Sequence, residues 1–362
     1  MIPSFTYAAL PSHVTFGVDT FSCVADEVQR LGRTRVLVLG GPRVAGLVDR
    51  TRDLLGGRMV GLFDGAAMHT PVEVTERALA TLSGLQADCV LAIGGGSAVG
   101  LAKALARRTD VDQVVVPTTY AGSEVTPVVG ETENGVKTTH SSPAVLPESV
   151  VYDVALSADL PAGLAVCSAV NALAHAAEAF YSPDANPLVD ALAARAVPEL
   201  AAGVRAIAEG RRSRDSAARL LLGAWLAGTC LGAVRMGLHH KLCHTLGGSF
   251  DLPHAETHTV VLAHALAYNA PAAPEALAQL GRALGTDDPA GAVHDLVSEA
   301  GGPTSLRQLG LAESDLDRAA ELAVANPYPN PRPLQRDAVR ELLEGAWRGQ
   351  RPTTAVAVAA TA

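Results

Sequence analysis

The chain has 362 residues, which at ~150 residues per domain suggests two domains. Hydrophobic residues make up 48% of it and charged residues 18%, a composition that supports packed cores and excludes disorder as the dominant state. The formal net charge of -9 excludes a general electrostatic attraction to nucleic acid or anionic lipid.

Cysteine usage and apolar segments bear on the compartment. The five cysteines are scattered and form no C-x-x-C pair, which excludes a disulfide scaffold or a thiolate zinc site and favours a reducing environment. The N-terminus shows neither the basic nor the apolar region of a secretory signal. The apolar stretch at residues 220–234 is shorter than the ~20 residues of a membrane span, so we expect a buried helix there. We therefore predict a soluble, cytoplasmic protein without a membrane or nucleic-acid partner.

The first 160 residues alternate short β-rich runs with segments of helical periodicity. Strands are predicted at 36–39, 60–63, 89–93 and 114–116, and helical patterns include 24–31 and 72–85. This alternation predicts a parallel sheet with helices on both faces. Ligands of such sheets bind at the carboxyl ends of the strands, where this chain has turn residues.

After residue 160 the pattern is helical almost to the end. Helical segments are predicted at 164–181, 187–209, 216–246, 257–268, 273–284, 290–300, 313–325 and 334–348. The sequence therefore predicts an α/β dinucleotide-binding domain over residues 1–160, an all-helical catalytic domain over 161–352 and a disordered tail over 353–362.

A glycine-rich turn, Gly94-Gly95-Gly96-Ser97, follows the third predicted strand and precedes an apolar helix. Glycines let the backbone approach an anion closely, and the helix N-terminus offers free N–H groups and a positive dipole end. A pyrophosphate suits such a turn. An ordinary tight turn can have the same sequence, however, and the G-x-G-x-x-G pattern is absent.

A second polar turn, PTTYAGSE, follows the next predicted strand. The hydroxyl groups of Thr118, Thr119 and Ser123 are expected to face the same crevice as the glycine-rich turn. Hydroxyl clusters of this kind are also common as turn and capping residues. Two such turns on adjacent strand ends favour a dinucleotide site.

Gly41 and Arg43 follow the first predicted strand. Enzymes that prefer NAD commonly place an acid near this point for the ribose 2′-hydroxyl, whereas a basic residue suits the phosphate of NADP. The acid is missing here and Arg43 is close. We therefore predict that NADPH is accepted, with NADH as an alternative cofactor.

Histidines are concentrated in one segment, HHKLCHTLGGSFDLPHAETH, at residues 239–258. His240 and His244 are four residues apart and so lie on one helical face. Gly247-Gly248 is predicted to end that helix, and Pro253 to precede the next. A further histidine, His175, stands four residues after Asn171. A single histidine is usually a core or surface residue, but clustering at helical spacing indicates a site.

Several long motifs together resemble those of maleylacetate reductases. These are HHKLCHTLGGSFDLPHAETH, the turn PTTYAGSE followed by GETENGVKTT, the GGGS turn and NPYPNPRP, and the resemblance covers about residues 5–351. The family belongs to the iron-containing alcohol dehydrogenase-like superfamily, related in fold to dehydroquinate synthase. The resemblance implies a homodimer that reduces the carbon–carbon double bond of 2-maleylacetate with NADH or NADPH, giving 3-oxoadipate in the catabolism of aromatic compounds.

The resemblance also bears on metal binding. In the metal-dependent relatives an Asp and three His hold Fe²⁺ or Zn²⁺, and by motif position those residues correspond to Asn171, His175, His240 and His254. The Asp position is Asn here. Because a neutral amide is a poorer ligand and removes a negative charge, we expect no required divalent metal.

A metal-free reduction needs a donor for the developing enolate oxygen and cationic anchors for a dicarboxylate. His240, Lys241 and His244 are assigned to these roles, with His239, His175, His254 and Asn171 as further substrate contacts. The final proton is assigned to His244 or Tyr120. Lys137 and Arg332 are weaker candidates for binding carboxylates.

Departures from the family pattern leave alternatives open. Arg235 replaces an expected small residue near His239, so it lies on the surface, narrows the pocket or adds an anion contact, and the last two would change which acid fits. A metal-dependent alcohol or aldehyde reductase of the same fold is one alternative. A specialised-metabolism enzyme acting on another unsaturated acid is a second, and a lyase or cyclase without net redox turnover is a third.

Overall fold

The computed structural model describes residues 5–10, 12–134 and 136–354, without the side chains of residues 136 and 137. Within this part the chain divides into two compact units. The sheet unit comprises residues 8–160 and 213–221. The helical unit comprises residues 5–7, 161–212 and 222–354.

The sheet unit is built on a six-stranded parallel sheet with the strand order β1-β8-β5-β4-β2-β3, and β6 and β7 form a separate antiparallel hairpin. The central strands are continuous apolar runs because both of their faces are buried. The eight strands are β1 His13–Gly17, β2 Val36–Leu39, β3 Met59–Phe63, β4 Cys89–Gly94, β5 Asp112–Pro117, β6 Val128–Glu133, β7 Val136–Ser141 and β8 Ser149–Asp153.

Four helices connect strands of the sheet unit, and a fifth, short helix follows the last strand. They are α1 Val24–Arg30, α2 Ala45–Leu55, α3 Val72–Gly84, α4 Gly96–Thr109 and the short α5 Val154–Ser157. From β2 the chain runs outward to β3 and then returns to β4, on the other side of β2. The carboxyl ends of β2 and β4 therefore flank a topological switch point, where open α/β sheets bind ligands.

Nine helices follow residue 160 in the described chain. They are α6 Ala162–Ala179, α7 Pro187–Ala208, α8 Arg214–Ala233, α9 Leu238–Phe250, α10 His254–Asn269, α11 Pro274–Leu284, α12 Pro289–Glu299, α13 Leu316–Val324 and α14 Arg336–Arg348. Eight of them lie in the helical unit, and the third, α8, begins in the segment 213–221 of the sheet unit and continues into the helical unit. Helix α10 packs against both α6 and α9. A buried apolar cluster from α9, α10, α13 and α14 holds these elements together.

The predicted fold class is confirmed: a parallel sheet precedes an all-helical part. The four predicted strands are all present, whereas β1, β8 and the β6–β7 hairpin were missed. The predicted helix at 216–246 was wrong, because residues 234–237 interrupt it between α8 and α9. Gly247 and Gly248 do not end α9, which continues to Phe250 and stops at Asp251, a residue with φ 55°. As predicted, α10 begins directly after Pro253.

Two expectations concern the apolar stretch and the tail. Helix α8 is the one helix of the described chain that is long and apolar enough to cross a membrane, and half of its most apolar window is buried. Core helices of soluble proteins can have the same length and apolar composition, so α8 is only weak evidence for a membrane span. In the tail, the Thr354 N–H and hydroxyl donate to Asp288 Oδ1 at 2.8 and 2.9 Å. Residues 355–362 lie outside the described residues.

Candidate active site

The glycine-rich turn lies at the carboxyl end of β4. Gly94 has φ +150°, a conformation that strongly favours glycine, and Gly95 precedes the first turn of α4. Among the described residues no side chain caps this helix, and its first N–H groups have no acceptor within the helix. A Cβ on Gly96 would meet no described atom within 4 Å, so the turn is open on that side.

The second polar turn lies directly against the first. The Thr118 N–H donates to the Gly94 carbonyl at 2.9 Å. A Cβ on Gly95 would lie 2.8 Å from Thr119 Cγ2, so any larger residue there would force the Thr119 side chain to move. Thr118, Thr119 and Ser123 are half-buried. The structure thus brings together the two turns that the sequence assigned to one site.

Tyr120 does not have the position expected of a proton donor. Its side chain is buried and its hydroxyl donates to the Ser157 carbonyl at 2.7 Å, inside the sheet unit. A phenol engaged in the core cannot deliver a proton to a substrate, so the assignment of Tyr120 as proton donor was wrong. The sequence fixes its position in the turn but not the direction of its side chain.

Gly41 and Arg43 follow β2, the other strand at the switch point. Gly41 precedes a 3₁₀ turn, Pro42–Val44, and Arg43 is exposed on that turn. The open glycine turn, the uncapped helix N-terminus and an exposed guanidinium fit a pyrophosphate and a phosphorylated ribose. The sheet unit therefore fits a nicotinamide dinucleotide.

The helical unit brings together the histidines that the sequence singled out. Ring centroids of His175 and His240 are 5.0 Å apart, and those of His240 and His244 are 6.4 Å apart. The ring of His254 lies 4.3 Å from that of His258. His244 is exposed and His254 half-buried, whereas His175 and His240 are buried. The cluster therefore has a buried interior and an accessible edge.

Glu178 organises the interior of this cluster. Its carboxylate accepts the backbone N–H groups of Gly237 and His239 at 3.0 and 3.1 Å, at the N-terminus of α9. The Tyr181 hydroxyl donates to it at 3.1 Å. Its Oε2 lies 2.7 Å from His240 Nδ1. One buried carboxylate thus holds both the helix end and the ring of its third residue.

These contacts fix where the imidazole protons lie. Burial and the neighbouring His244 lower the pKa of His240 to about 3, so its ring is neutral. Because a carboxylate only accepts, His240 Nδ1 carries the proton and Nε2 is left as an acceptor. His175 Nδ1 lies 2.8 Å from that Nε2 and donates to it. Both nitrogens of His240 are therefore engaged, and it is not the donor to an enolate.

His239 and His258 are interior residues with different environments. His239 is fully buried and its Nε2–H donates to the His258 carbonyl at 3.1 Å, so its assignment as a substrate contact was wrong. Burial and then His240 lower its pKa to about 3. Neither ring nitrogen of buried His258 has a hydrogen-bond partner among the described residues.

The residues that the resemblance relates to a metal site do not fit a tightly held ion. The Asn171 Oδ1 is buried and has no hydrogen-bond partner within the described chain, but an amide carries no charge. His175 and His240 share a hydrogen bond, whereas two ligands of one ion would both direct lone pairs at it. Ring nitrogens of His239, His240 and His258 lie within 4.8 Å of one another, but two of those rings already have partners.

The cationic candidates differ in their surroundings. Lys241 is half-buried, with its Nζ 5.8 Å from the centre of the Tyr328 ring. Arg332 donates to the backbone carbonyl of Tyr268 at 3.1 Å, and its guanidinium stacks over the Tyr268 ring. Its guanidinium is therefore already bound to Tyr268. Arg235 forms a two-point ion pair with Asp184, with both N–O distances 2.8 Å. The side chain of Lys137 lies outside the described part.

Sequence reasoning missed two residues of this region. Glu178 stands seven residues after Asn171 and three residues after His175, so all three side chains lie on one face of α6. That spacing was the available signal. Tyr328, in the NPYPNPRP motif, has a buried hydroxyl without a hydrogen-bond partner in the described chain, and only its motif pointed to it.

Comparisons with known proteins cover both units. The Iron-containing alcohol dehydrogenase family model matches residues 11–154, and that of the Fe-containing alcohol dehydrogenase family, C-terminal, matches residues 165–347. The chain is 57% identical to maleylacetate reductase 1 of Rhodococcus opacus over 348 residues, which covers 96% of this chain and 98% of that protein.

Two further relatives are also maleylacetate reductases. Maleylacetate reductase of Rhizobium sp. (strain MTP-10005) is 50% identical over 351 residues, covering 96% of this chain and 99% of that one. The crystal structure of maleylacetate reductase from Agrobacterium tumefaciens superposes with a TM-score of 0.93 at 48% identity, covering 97% and 100% of the two chains.

Proposed function

The chain belongs to the iron-containing alcohol dehydrogenase family, and from this premise we propose that it reduces 2-maleylacetate to 3-oxoadipate with NADH or NADPH. It is an oxidoreductase of that family. The observation that carries the choice of substrate is the 57% identity to a maleylacetate reductase over nearly the whole of both chains.

The substrate is an enone that carries two carboxylates. When bound, the reduced nicotinamide supplies the hydride, which adds to the alkene carbon β to the ketone. Negative charge then develops on the ketone oxygen, and a proton must reach the α-carbon. The chain must therefore supply a hydrogen-bond donor, a cation and a proton.

His244 is the histidine we assign to the proton. It lies at the exposed edge of the cluster, where a substrate can reach it, whereas His240 already donates to Glu178. Lys241 stands on the same helix and supplies a positive charge for a carboxylate. His254, half-buried beside His258, is assigned as a further substrate contact.

The sheet unit is assigned to the cofactor. The N–H groups at Gly96 and Ser97 of α4 bind the pyrophosphate, and Thr118, Thr119 and Ser123 contribute polar contacts from the adjacent turn. Arg43 binds the 2′-phosphate of NADPH. NADPH binding a hundredfold or more weaker than NADH binding would contradict this role of Arg43.

We propose that no metal ion is required. The neutral Asn171 and the hydrogen bond between His175 and His240 support this. Stoichiometric iron or zinc in protein purified without added metal, together with loss of activity in a chelator, would reverse the proposal.

The decisive experiment follows oxidation of NADH and of NADPH at 340 nm with freshly generated maleylacetate, with and without chelator. We expect turnover with maleylacetate that the chelator leaves unchanged. Oxidation of simple alcohols with NAD⁺, dependent on metal, would instead indicate an alcohol dehydrogenase. Absence of turnover with either cofactor would contradict the proposed reaction.

Two properties of the assembly are part of the proposal. From the family resemblance we propose a homodimer in the cytoplasm, with a small unsaturated diacid as the partner of the site. Light scattering coupled to gel filtration tests the dimer, since a single peak at the monomer mass would contradict it.

A further inference from the structure

Lys103 is a buried cation that the proposed chemistry leaves unused. It lies on α4, the helix that begins at the glycine-rich turn, and only 1% of its surface is exposed. Its ammonium donates to the carbonyls of Ser123, Thr126 and Val128 and lies 2.9 Å from Thr126 Oγ1. An ammonium has three hydrogens, so these four acceptors saturate it.

Burying this charge is unfavourable. Burial lowers the pKa of Lys103 to about 7, against the opposing effect of Glu124. The Glu124 carboxylate is itself buried and accepts from the Tyr152 hydroxyl at 2.8 Å. An apolar side chain of similar volume would avoid the loss of hydration. Stability of the core alone therefore does not account for a lysine at this position.

The position of the acceptors indicates what the lysine does. The three carbonyls belong to residues 123–128, the segment that continues the polar turn of Thr118, Thr119 and Ser123. At its other end the same turn is tied to the glycine-rich turn by the Thr118 N–H, which donates to Gly94. Lys103 thus fixes the far end of one cofactor turn to the helix that begins at the other.

We propose that Lys103 is a positioning residue for cofactor binding, which holds the two turns of the nucleotide site at a fixed separation. The inference rests on the proposed use of NADH or NADPH, but not on the identity of the substrate. It makes Lys103 act through the backbone of residues 118–128 rather than by touching the cofactor.

The chain provides a matched control on the same helix. Arg107 stands one turn further along α4 and pairs with Glu131 of β6, at an N–O distance of 3.0 Å. It therefore also ties α4 to the chain that follows the turn, but not to residues 123–128. Lys103→Met and Arg107→Met each remove one positive charge and the hydrogen bonds that link that position of α4 to the chain after the turn.

The test is a titration of the full-length protein with NADH and with NADPH, in the absence of substrate, followed by cofactor fluorescence. Thermal melting establishes that each variant is folded. We expect Lys103→Met to raise the Kd of the cofactor about tenfold or more, because charge-assisted hydrogen bonds that fix the turn are lost. Arg107→Met should change it less than about twofold, since the turn keeps its anchor.

A milder variant covers the case in which Lys103→Met does not fold. Thr126→Val removes one of the four acceptors and should raise the Kd by a smaller factor, with kcat at saturating cofactor unchanged. If Lys103→Met folds, Kd values equal to those of Arg107→Met would overturn the inference. If Lys103→Met does not fold, a Kd for Thr126→Val equal to that of the parent would overturn it. A parent protein that binds neither cofactor would instead contradict the proposed function.

Discussion

The Glu178 carboxylate and the His240 ring are joined at 2.7 Å, and the same carboxylate accepts N–H groups from the first turn of the helix that carries His240. The ring is therefore held at both its backbone and its side chain. Because Glu178 determines that Nδ1 is protonated, it also determines the direction of the hydrogen bond from His175. Proton positions in the cluster thus depend on one residue of α6.

Replacing Glu178 by Gln should disturb the active site more than the cofactor site. The amide places an NH₂ group among N–H donors and removes the charge at the start of α9. We expect kcat to fall about tenfold or more, with the Kd of NADH unchanged, because the tautomer of His240 is no longer imposed. Steady-state kinetics and NADH titration measure the two effects separately.

Tyr181→Phe is the control for that variant. It removes one donor to the same carboxylate, at 3.1 Å, without changing the charge or the contact with His240. We expect kcat within about threefold of the parent. Equal losses of kcat in the Tyr181 and Glu178 variants would show that the role of Glu178 is only structural.

His244→Ala tests the proton donor. His244 is exposed at the edge of the cluster, so truncation should leave the fold intact. If it protonates the α-carbon, kcat falls by ~10²-fold while cofactor binding is retained. His140→Ala, in the β6–β7 hairpin, serves as the control. An unchanged kcat in the His244 variant would remove it from the mechanism.

Arg235→Ala tests whether this residue selects the substrate. The guanidinium is exposed and paired with Asp184, and this pairing lowers the pKa of the Asp184 carboxyl. An exposed pair contributes little to stability. We expect kcat and the KM for maleylacetate to stay within about twofold of the parent. A KM increase of about fivefold or more would restore Arg235 as an anion contact.

Arg43→Glu tests cofactor preference. A carboxylate at this exposed position repels the 2′-phosphate of NADPH and can accept the 2′-hydroxyl of NADH. The KM for NADPH should rise about tenfold or more, while that for NADH changes less than about twofold. Arg52→Glu, at an exposed arginine on α2, controls for the change in net charge. Equal effects on the two cofactors would exclude a phosphate contact by Arg43.

Periodicity and turn residues were sufficient to predict four of the six strands of the sheet, most helices and the two polar turns at the ends of β4 and β5. The central strands are uninterrupted apolar runs, so their pattern was unambiguous. The edge strand β1 was missed because its residues are exposed or half-buried and mixed in character. Tyr120 and His239 were assigned wrongly because a sequence gives the position of a side chain but not its direction. Glu178 was missed because its contacts with the N-terminus of α9 and with the His240 ring come from a helix about 60 residues further along the chain.

The buried ring of His258 makes the stability of the fold depend on pH. Its ring is buried without a hydrogen-bond partner in the described chain, and burial, with His254 next in importance, lowers its pKa well below the ordinary value. The unfolded chain binds a proton near pH 6.5, whereas the folded chain does not. Stability contributed by the neutral ring is therefore present above pH 6.5 and is lost as the pH falls.

His258→Phe removes this linkage and the unpaired nitrogens while keeping a flat ring of similar size. Relative to the parent, the variant should gain stability on going from pH 7.5 to pH 5, because only in the parent does the unfolded chain take up a proton at residue 258 that the folded chain does not. Any strain from the larger phenyl ring is the same at both pH values, so the change in stability with pH reports only the titration of His258. Thermal melting of the pair at the two pH values measures the effect, and an equal difference in Tm at both would show that His258 is protonated alike in the folded and unfolded chains.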